Sequence, residues 1–420
     1  MTHIVFLTDN FPPEGNAIAS RVYERACYWV KNGHEVTVIT SVPNFPDGKV
    51  YSGYKNKFYQ TEMMHGMRVV RVKTFIAKNK GFLLRTLDFL SYIIPALLAG
   101  LWQKKPTVVV ATTPQFFVGV TAFLLTSLRR VPFVLEVADI WPASIVGVGA
   151  MQKSTLIQWL EKLELFLYRR ATSIVVLTTA FKKNLTSRGV PAAKISVCIN
   201  GVDTSQFSPT PKNDQLATEL GISPNQFVIG YLGTHGMAHG LQNVLHTAEK
   251  LKQHPDILFL FVGAGAERED LMLYAAQNNL TNVKFIPSQP KSAMPQFWSL
   301  CQVALIHLKN NPVFAEVIPS KIFEAMGMGL PILLAAPEGE ASQIIVSEKV
   351  GIWVQPEDPQ LLADAAITLW QQPELRQQYA QQSQARAYFH SRERQANEML
   401  AIIQNTIDHA ANPIELNQHE

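Results

Sequence analysis

Short apolar runs alternate with amphipathic, helix-length stretches along most of the chain. Ile4–Leu7 and the β-branched run Glu35–Thr40 read as strands. Between them, Arg21–Asn32 has helical spacing, with Val22, Ala26, Trp29 and Val30 on one face and Gly33 placed to end it. Val69–Val72, Val108–Ala111, Phe133–Val137 and Ile174–Leu177 are further short strands, most of them separated by helical segments. That order predicts parallel strands with crossover helices.

At Asn200 the pattern breaks. NGVDTSQFSPTPKND is polar and turn-rich and reads as a linker. The alternation then restarts. Strands are expected at Phe227–Tyr231, Ile257–Val262, Val283–Ile286, Val303–His307, Pro331–Ala335 and Ile352–Val354. Helices are expected at Leu241–Gln253, Arg268–Asn278, around Met294–Ser299 and at Ser320–Met328. The pattern therefore predicts an α/β protein of two Rossmann-like domains, residues 1–200 and 201–385. A C-terminal helix at 386–408, packing back on the first domain, and a frayed tail at 409–420 complete the expectation.

Composition narrows the class. The chain has 420 residues, 47% apolar and 17% charged, enough for two sizeable cores. A net charge of +4 is too mild to argue for nucleic acid and suits an anionic small ligand or membrane surface. Cys27, Cys198 and Cys301 show neither disulfide nor metal spacing, and the N-terminus lacks a signal-peptide pattern, so a cytoplasmic protein is expected. Phe82–Trp102 is the most apolar stretch but is too short, once Arg85 and Asp88 interrupt it, to span a bilayer. It reads either as a buried helix or as one whose apolar face dips into a membrane interface, with Lys104 and Lys105 near headgroups.

The stretch that carries chemistry is EVIPSKIFEAMGMGLP, Glu316–Pro331. Pro319 or Ser320 starts a short helix, and Gly329 with Pro331 stops it. Ser320, Lys321 and Ile322 sit at its start, where free N–H groups and a lysine suit a pyrophosphate. Glu324, one turn in, can accept hydrogen bonds from a ribose diol, and Glu316 can reach a sugar hydroxyl. Elsewhere, Pro12–Ala17 offers Gly15 for close backbone approach to a ligand. Asp139 follows a strand end, where it can orient or deprotonate an acceptor hydroxyl. Trp141 is either a sugar platform or core.

Glu316 to Glu324 resembles the glutamate-x7-glutamate signature of glycosyltransferase family 4, and most resembles bacterial members that build O-antigen, capsule or exopolysaccharide. NGHEVTVIT, Asp139-Ile140-Trp141-Pro142, Asn200-Gly201-Val202-Asp203 and the glycine loop Gly233–Gly240 carry the resemblance over nearly the whole chain. It implies the GT-B fold, two domains facing across a cleft, and retaining transfer of a sugar, expected to be an N-acetylated or deoxy sugar, from a UDP-linked donor to a glycan or lipid-linked acceptor. It further implies a donor held mainly by the second domain. Glu324 would meet the ribose, Glu316 the transferred sugar, and the backbone around Ile286–Ser288, including Pro287 and Ser288, the base. No metal or other cofactor is expected.

Two departures stand out. The glycine loop carries Gly233, Thr234, His235, Met237, Ala238 and His239 where many members have Arg and Lys, so phosphate binding must lean on Lys321, helix termini and Arg21 or His235. Val317-Ile318-Pro319 replaces the usual Gly-Phe-Gly. The rivals are an epimerase of the same fold, a non-catalytic nucleotide-sugar-binding subunit and, resting on Gly263-x-Gly265, a nicotinamide oxidoreductase.

Overall fold

The computed structural model describes residues 2–45, 48–76, 82–113, 115–144 and 154–411. The chain forms two compact units. One comprises the residues up to Ile199 and those from Glu393 onward; the other is Asn200–Arg392.

The first unit is built on an eight-stranded sheet. Its strands are β1 (His3–Leu7), β2 (Glu35–Ser41), β3 (Tyr59–Met64), β4 (Met67–Val72), β5 (Val108–Thr112), β6 (Phe133–Val137), β7 (Ser173–Val176) and β8 (Ile195–Val197). They lie in the order β3-β4-β2-β1-β5-β6-β7-β8, and every pairing is parallel except β3 with β4. The interior strands are runs of Val, Ile, Leu and Phe because helices cover both faces. The helix Ala17–Lys31 starts a turn before its apolar stripe, because the Asn16 side chain accepts from the Ala19 N–H at 2.9 Å. Its Trp29 stacks on Phe6 and donates its indole N–H to the Ala396 carbonyl at 2.9 Å. Ala396, Met399 and Ile403 of the Arg392–Ala411 helix thereby join this core.

The second unit has six parallel strands: β9 (Phe227–Leu232), β10 (Ile257–Val262), β11 (Val283–Ile286), β12 (Val303–His307), β13 (Ile332–Ala335) and β14 (Gly351–Val354). The order β11-β10-β9-β12-β13-β14 reverses direction between β9 and β12, the switch point where such sheets place ligands. Register sets what gathers there. Leu232 pairs with Val262 and Val262 with Ile286, so the loops starting at Gly233, Gly263 and Pro287 leave the sheet side by side.

Several expectations need correction. β3 and β8 escaped the pattern: β3 is a half-exposed edge strand with no clean alternation, and β8 has only three residues. The polar stretch after Asn200, expected as a linker, opens the second unit and packs into it. Val202 and Phe207 are buried, and a Cβ on Gly327 would lie 2.8 Å from the Phe207 carbonyl oxygen. Phe82–Trp102 is two helices, Phe82–Ser91 and Ile93–Trp102, breaking at buried Tyr92, whose hydroxyl donates to the Ile39 carbonyl at 2.8 Å. Ala96, Ala99 and Gly100 are buried, whereas Leu84, Leu87, Leu90, Ile94 and Trp102 are exposed. The side chains of Phe82, Leu83 and Arg85, and residues 412–420 of the expected tail, lie outside the described residues. Among the described residues no helix is long and apolar enough to cross a membrane.

Candidate functional site

Every expected donor residue of the second unit except Ile322 lies in a loop at the carboxyl end of β9, β11 or β12, or on the half-buried face of the helix that follows β12. Lys321 opens that helix, Lys321–Gly327. Its stem crosses Gly233, and its ammonium lies 3.8 Å from the centre of the Tyr231 ring. Tyr231 is buried on β9 and donates its hydroxyl to the Thr234 carbonyl at 2.7 Å, which ties the glycine loop to the ring. Gly233 has φ +141°, and a Cβ there would lie 2.4 Å from Lys321 Cε. The glycine is required both by the backbone and by the lysine stem above it. Burial draws the Lys321 ammonium down to about 7, a shift the nearby Glu324 only partly opposes.

The adjacent loop explains another pair of glycines. A Cβ on Gly263 would lie 1.9 Å from the Gly233 carbonyl oxygen, and one on Gly265 would lie 2.2 Å from that of His235. The His235 N–H donates to Ala264 at 2.9 Å, and the Glu267 N–H to His235 at 3.0 Å. Gly263-x-Gly265 is therefore spent on packing one loop against another, which removes the observation behind the oxidoreductase alternative.

Three histidines gather here. His235 is fully buried between Tyr231, Phe261 and Phe285, with ring centroids 5.9, 5.9 and 6.2 Å away. Neither ring nitrogen has a hydrogen-bond partner among the described residues. Burial, then Lys321 and Arg268, hold it at about 4. His239 is held at about 3 by burial and Lys321. His307, at about 4 through burial, has Nδ1 2.7 Å from the His239 carbonyl and Nε2 2.8 Å from the Asn243 amide nitrogen. That pattern fits a neutral ring that donates from Nδ1 and accepts at Nε2. His235 is thus a neutral core residue, not a phosphate grip.

The short helix also differs from expectation. It has seven residues, and the N–H groups of Ile322, Phe323 and Glu324 already donate to the Pro319 and Ser320 carbonyls at 3.1–3.3 Å. The fan of free amides expected at Ser320 is largely used, so the cation of the site is Lys321 itself. Ile322 is fully buried and can meet a ligand only through its backbone. Glu316 ends the 3-10 turn Pro312–Glu316, which is anchored by buried Phe314. A Cβ on Gly339 would lie 2.0 Å from Ala315 O, so the next loop packs tightly against that turn. Glu316, Ser320 and Glu324 are half-buried; Thr234, Pro287 and Ser288 are exposed.

In the first unit, Gly15 is exposed, with open space where a Cβ would sit. Arg21 is not available as a phosphate ligand. It is 4% exposed, donates to Thr112 Oγ1 at 3.3 Å and lies 3.4 Å from Glu136. Arg25 donates to the same carboxylate at 2.8 Å. Asp139 follows β6, half-buried and held by the Ser144 side chain and the Ile140 N–H; burial raises its carboxyl above the ordinary value. Trp141 is 7% exposed and stacked on Phe116 with centroids 5.0 Å apart, so it is core and not a sugar platform.

Comparison with known proteins agrees with this organisation. A family model described as "Glycosyl transferase 4-like domain" matches residues 16–201, and one described as "Glycosyl transferases group 1" matches residues 212–386. The chain is 25% identical over 363 residues to the glycosyl transferase WcaI of Escherichia coli K12, named for colanic acid biosynthesis, covering 84% of this chain and 88% of that one. The sucrose-phosphate synthase of Thermosynechococcus elongatus superposes with TM-score 0.79 at 15% identity, covering 97% and 100% of the two chains. Anabaena HepE in complex with UDP and glucose gives TM-score 0.73 at 19% identity, covering 96% and 100%. The two-domain α/β architecture is the GT-B fold of these enzymes.

Proposed function

The chain is a glycosyltransferase of the family 4 type, and from that premise we propose that it moves a sugar from a UDP-linked donor to a lipid-linked or growing glycan acceptor in surface polysaccharide synthesis. The observation that carries the donor half is Lys321. It is one cation, near its titration point, held over Tyr231 at the switch point where the glycine loop begins. HepE, a structural neighbour, is described in complex with UDP and with UDP-glucose, which supports a uridine donor here.

In the proposed site Lys321 meets the diphosphate with Thr234 and Ser320. Glu324 accepts from the ribose diol, Glu316 from the transferred sugar, and Pro287 and Ser288 flank the base. As the bond from the anomeric carbon to phosphate breaks, charge grows on the departing diphosphate, where Lys321 stabilises it. The acceptor oxygen forms the new bond to the anomeric carbon on the face that the diphosphate leaves, which retains the configuration, and its proton passes to the departing diphosphate. The reaction is proposed to proceed without a bound metal, at the cytoplasmic membrane face where lipid-linked acceptors are found.

The test is a binding panel of UDP, GDP, ADP and NAD by thermal shift, followed by product analysis with nucleotide sugars, membrane extract and EDTA. Stabilisation by UDP with transfer of a sugar that EDTA leaves intact is expected. UDP binding without turnover on any acceptor would point to a binding subunit. Stabilisation by GDP or ADP alone overturns the donor assignment.

A further inference from the structure

The first unit holds a cavity of about 680 Å³ where the chain leaves β4. β4 runs parallel to β2 and ends at Val72, so Lys73-Thr74-Phe75 emerges at the carboxyl end of the sheet, the end at which open α/β sheets place ligands. Val50, Phe58, Lys73, Thr74, Phe75 and Pro95 line the cavity, with Asn56 and Ser91 beside them. Side chains, not a strand partner, hold this segment in place. Asn56 donates its amide to the Thr74 carbonyl at 2.8 Å and accepts the Thr74 N–H at 3.2 Å, and Ser91 Oγ accepts the Phe75 N–H at 2.7 Å. The lining is therefore built before any ligand arrives.

Three features of that lining point to one chemistry. Thr74 is 4% exposed, and its Oγ1 is buried without a hydrogen-bond partner among the described residues. A buried hydroxyl left so is destabilising unless a bound molecule supplies the partner. Phe58 and Phe75 are large rings left 47% and 48% exposed. Lys73 is exposed, and no Asp or Glu lines the cavity with it among the described residues. A lipid chain would cover the rings but answer neither the hydroxyl nor the ammonium. A neutral pyranose would answer the hydroxyl and leave the ammonium without a counter-charge. A pyranose that carries a carboxylate answers all three, and the lining presents no anion to repel it.

We propose that this cavity binds an acidic sugar, a hexuronic acid residue of the acceptor glycan. Its carboxylate meets Lys73, a ring hydroxyl meets Thr74 Oγ1, and its C–H face lies against Phe58 and Phe75. The proposal rests on the sugar-transfer reading and gives the acceptor a chemical class. Every residue it uses belongs to the first unit, so occupancy can be measured without a donor.

The test is a ligand-observed NMR titration of the full chain with methyl glucuronide and methyl glucoside, with circular dichroism to confirm folding. Tighter binding of the glucuronide is expected. Lys73→Gln should cost the glucuronide roughly two- to fivefold in affinity, the range of an exposed charge pair, and bring it level with the glucoside. Thr74→Val removes a hydroxyl that the protein leaves without a partner, so it should keep or raise the melting temperature while weakening both sugars. A merely structural threonine would lose stability instead. UDP binding, followed in parallel by thermal shift, should be the same in both variants as in the wild type. Its absence from the wild type would sink the donor reading and leave the sugar result to stand by itself. Equal affinity for the two sugars, binding of neither, or a glucuronide preference that survives Lys73→Gln overturns the proposal. So does tighter binding of citronellyl phosphate with the same dependence on Lys73, which would make the cavity a groove for a lipid chain.

Discussion

Lys321 rests its ammonium against the face of Tyr231, 3.8 Å from the ring centre, so the cation of the candidate donor site is carried by the strand on which the glycine loop begins. A ring face attracts an ammonium but does not neutralise it, and burial lowers the lysine to about 7. An arriving diphosphate favours the protonated form. Below pH 7 the lysine is already charged, so its own contribution to affinity should be flat. Above it, binding must recruit a proton, and affinity should fall about tenfold per pH unit. Calorimetry of UDP binding in two buffers of different ionisation enthalpy should show proton uptake at pH 8 and little at pH 6. Lys321→Ala should bind weakly at both pH values with no uptake. A pH-independent affinity in the wild type would show that Lys321 does not titrate with binding.

Gly233 and Gly263 separate function from folding at one place. A methyl on Gly233 meets the flexible end of Lys321, whereas one on Gly263 meets the Gly233 carbonyl oxygen at 1.9 Å. Gly233→Ala also strains a φ of +141°, a cost of about 1–3 kcal/mol. It should therefore keep its fold and lose donor affinity to about the extent of Lys321→Ala. Gly263→Ala must force two backbones apart and should lower the melting temperature further than Gly233→Ala. Melting curves and UDP titrations of both variants check the order; the reverse order would place the lysine elsewhere in solution.

The two glutamates should divide binding from chemistry. Glu324 lies one turn into the helix beside Lys321, and Glu316 on the turn before it. If Glu324 accepts from a ribose diol, Glu324→Ala removes charge-assisted bonds worth about 1.5–3 kcal/mol, so KM for the donor should rise roughly 10- to 100-fold with little change in kcat. Glu316→Gln, acting at the transferred sugar, should lower kcat more than it raises KM. Steady-state kinetics with the two splits exchanged would reverse the proposed orientation of the donor.

Much of this organisation was legible in residue order, for a physical reason. Strands buried on both faces must be continuous runs of Val, Ile, Leu and Phe, and these stand out against amphipathic helices, as at β1, β5, β9 and β10. Glu316–Glu324 was legible because the residues are near neighbours in the chain. The partners of Lys321 were not, because Tyr231 and Gly233 reach it only through the strand order of the sheet. Gly263-x-Gly265 misled because a glycine that admits another backbone looks, in sequence, like one that admits a phosphate. Arg21 and Trp141 looked available because burial against Glu136 or Phe116 is a tertiary fact.

Glu136 is the centre of a buried cluster in which one carboxylate answers two guanidiniums. Burial alone would raise it, but Arg25 and Arg21, with Thr112, outweigh that and hold it at about 2. Because the folded value lies below the ordinary one near 4.5, its stabilisation is complete above pH 4.5 and is lost as pH falls towards 2. Glu136→Gln leaves Arg25 fully buried without its counter-charge, which should cost about 3–5 kcal/mol. In a unit of this size that is a fall in melting temperature on the order of 10 °C, measurable by calorimetry at pH 7. A variant melting within a degree or two of wild type would mean that water or an anion reaches the arginines.

Glu14 behaves in the opposite sense. It is 3% exposed, and its Oε1 accepts from the Asn44 and Phe45 N–H groups at 2.7 and 2.9 Å, while Oε2 is buried without a hydrogen-bond partner among the described residues. Burial raises its carboxyl to about 7, against the two N–H donors that favour the anion. A folded value above the unfolded one means the native state prefers the protonated acid. The cost of ionising it is absent below pH 4.5, grows between 4.5 and 7, and is constant above. The shift corresponds to about 3 kcal/mol at pH 8. Glu14→Gln keeps an oxygen for both N–H groups and cannot ionise, so it should match wild type in urea denaturation at pH 4.5 and exceed it at pH 8. A stability difference that stays constant from pH 4.5 to 8 would mean Glu14 titrates as an ordinary carboxylate and that its pocket is open to water.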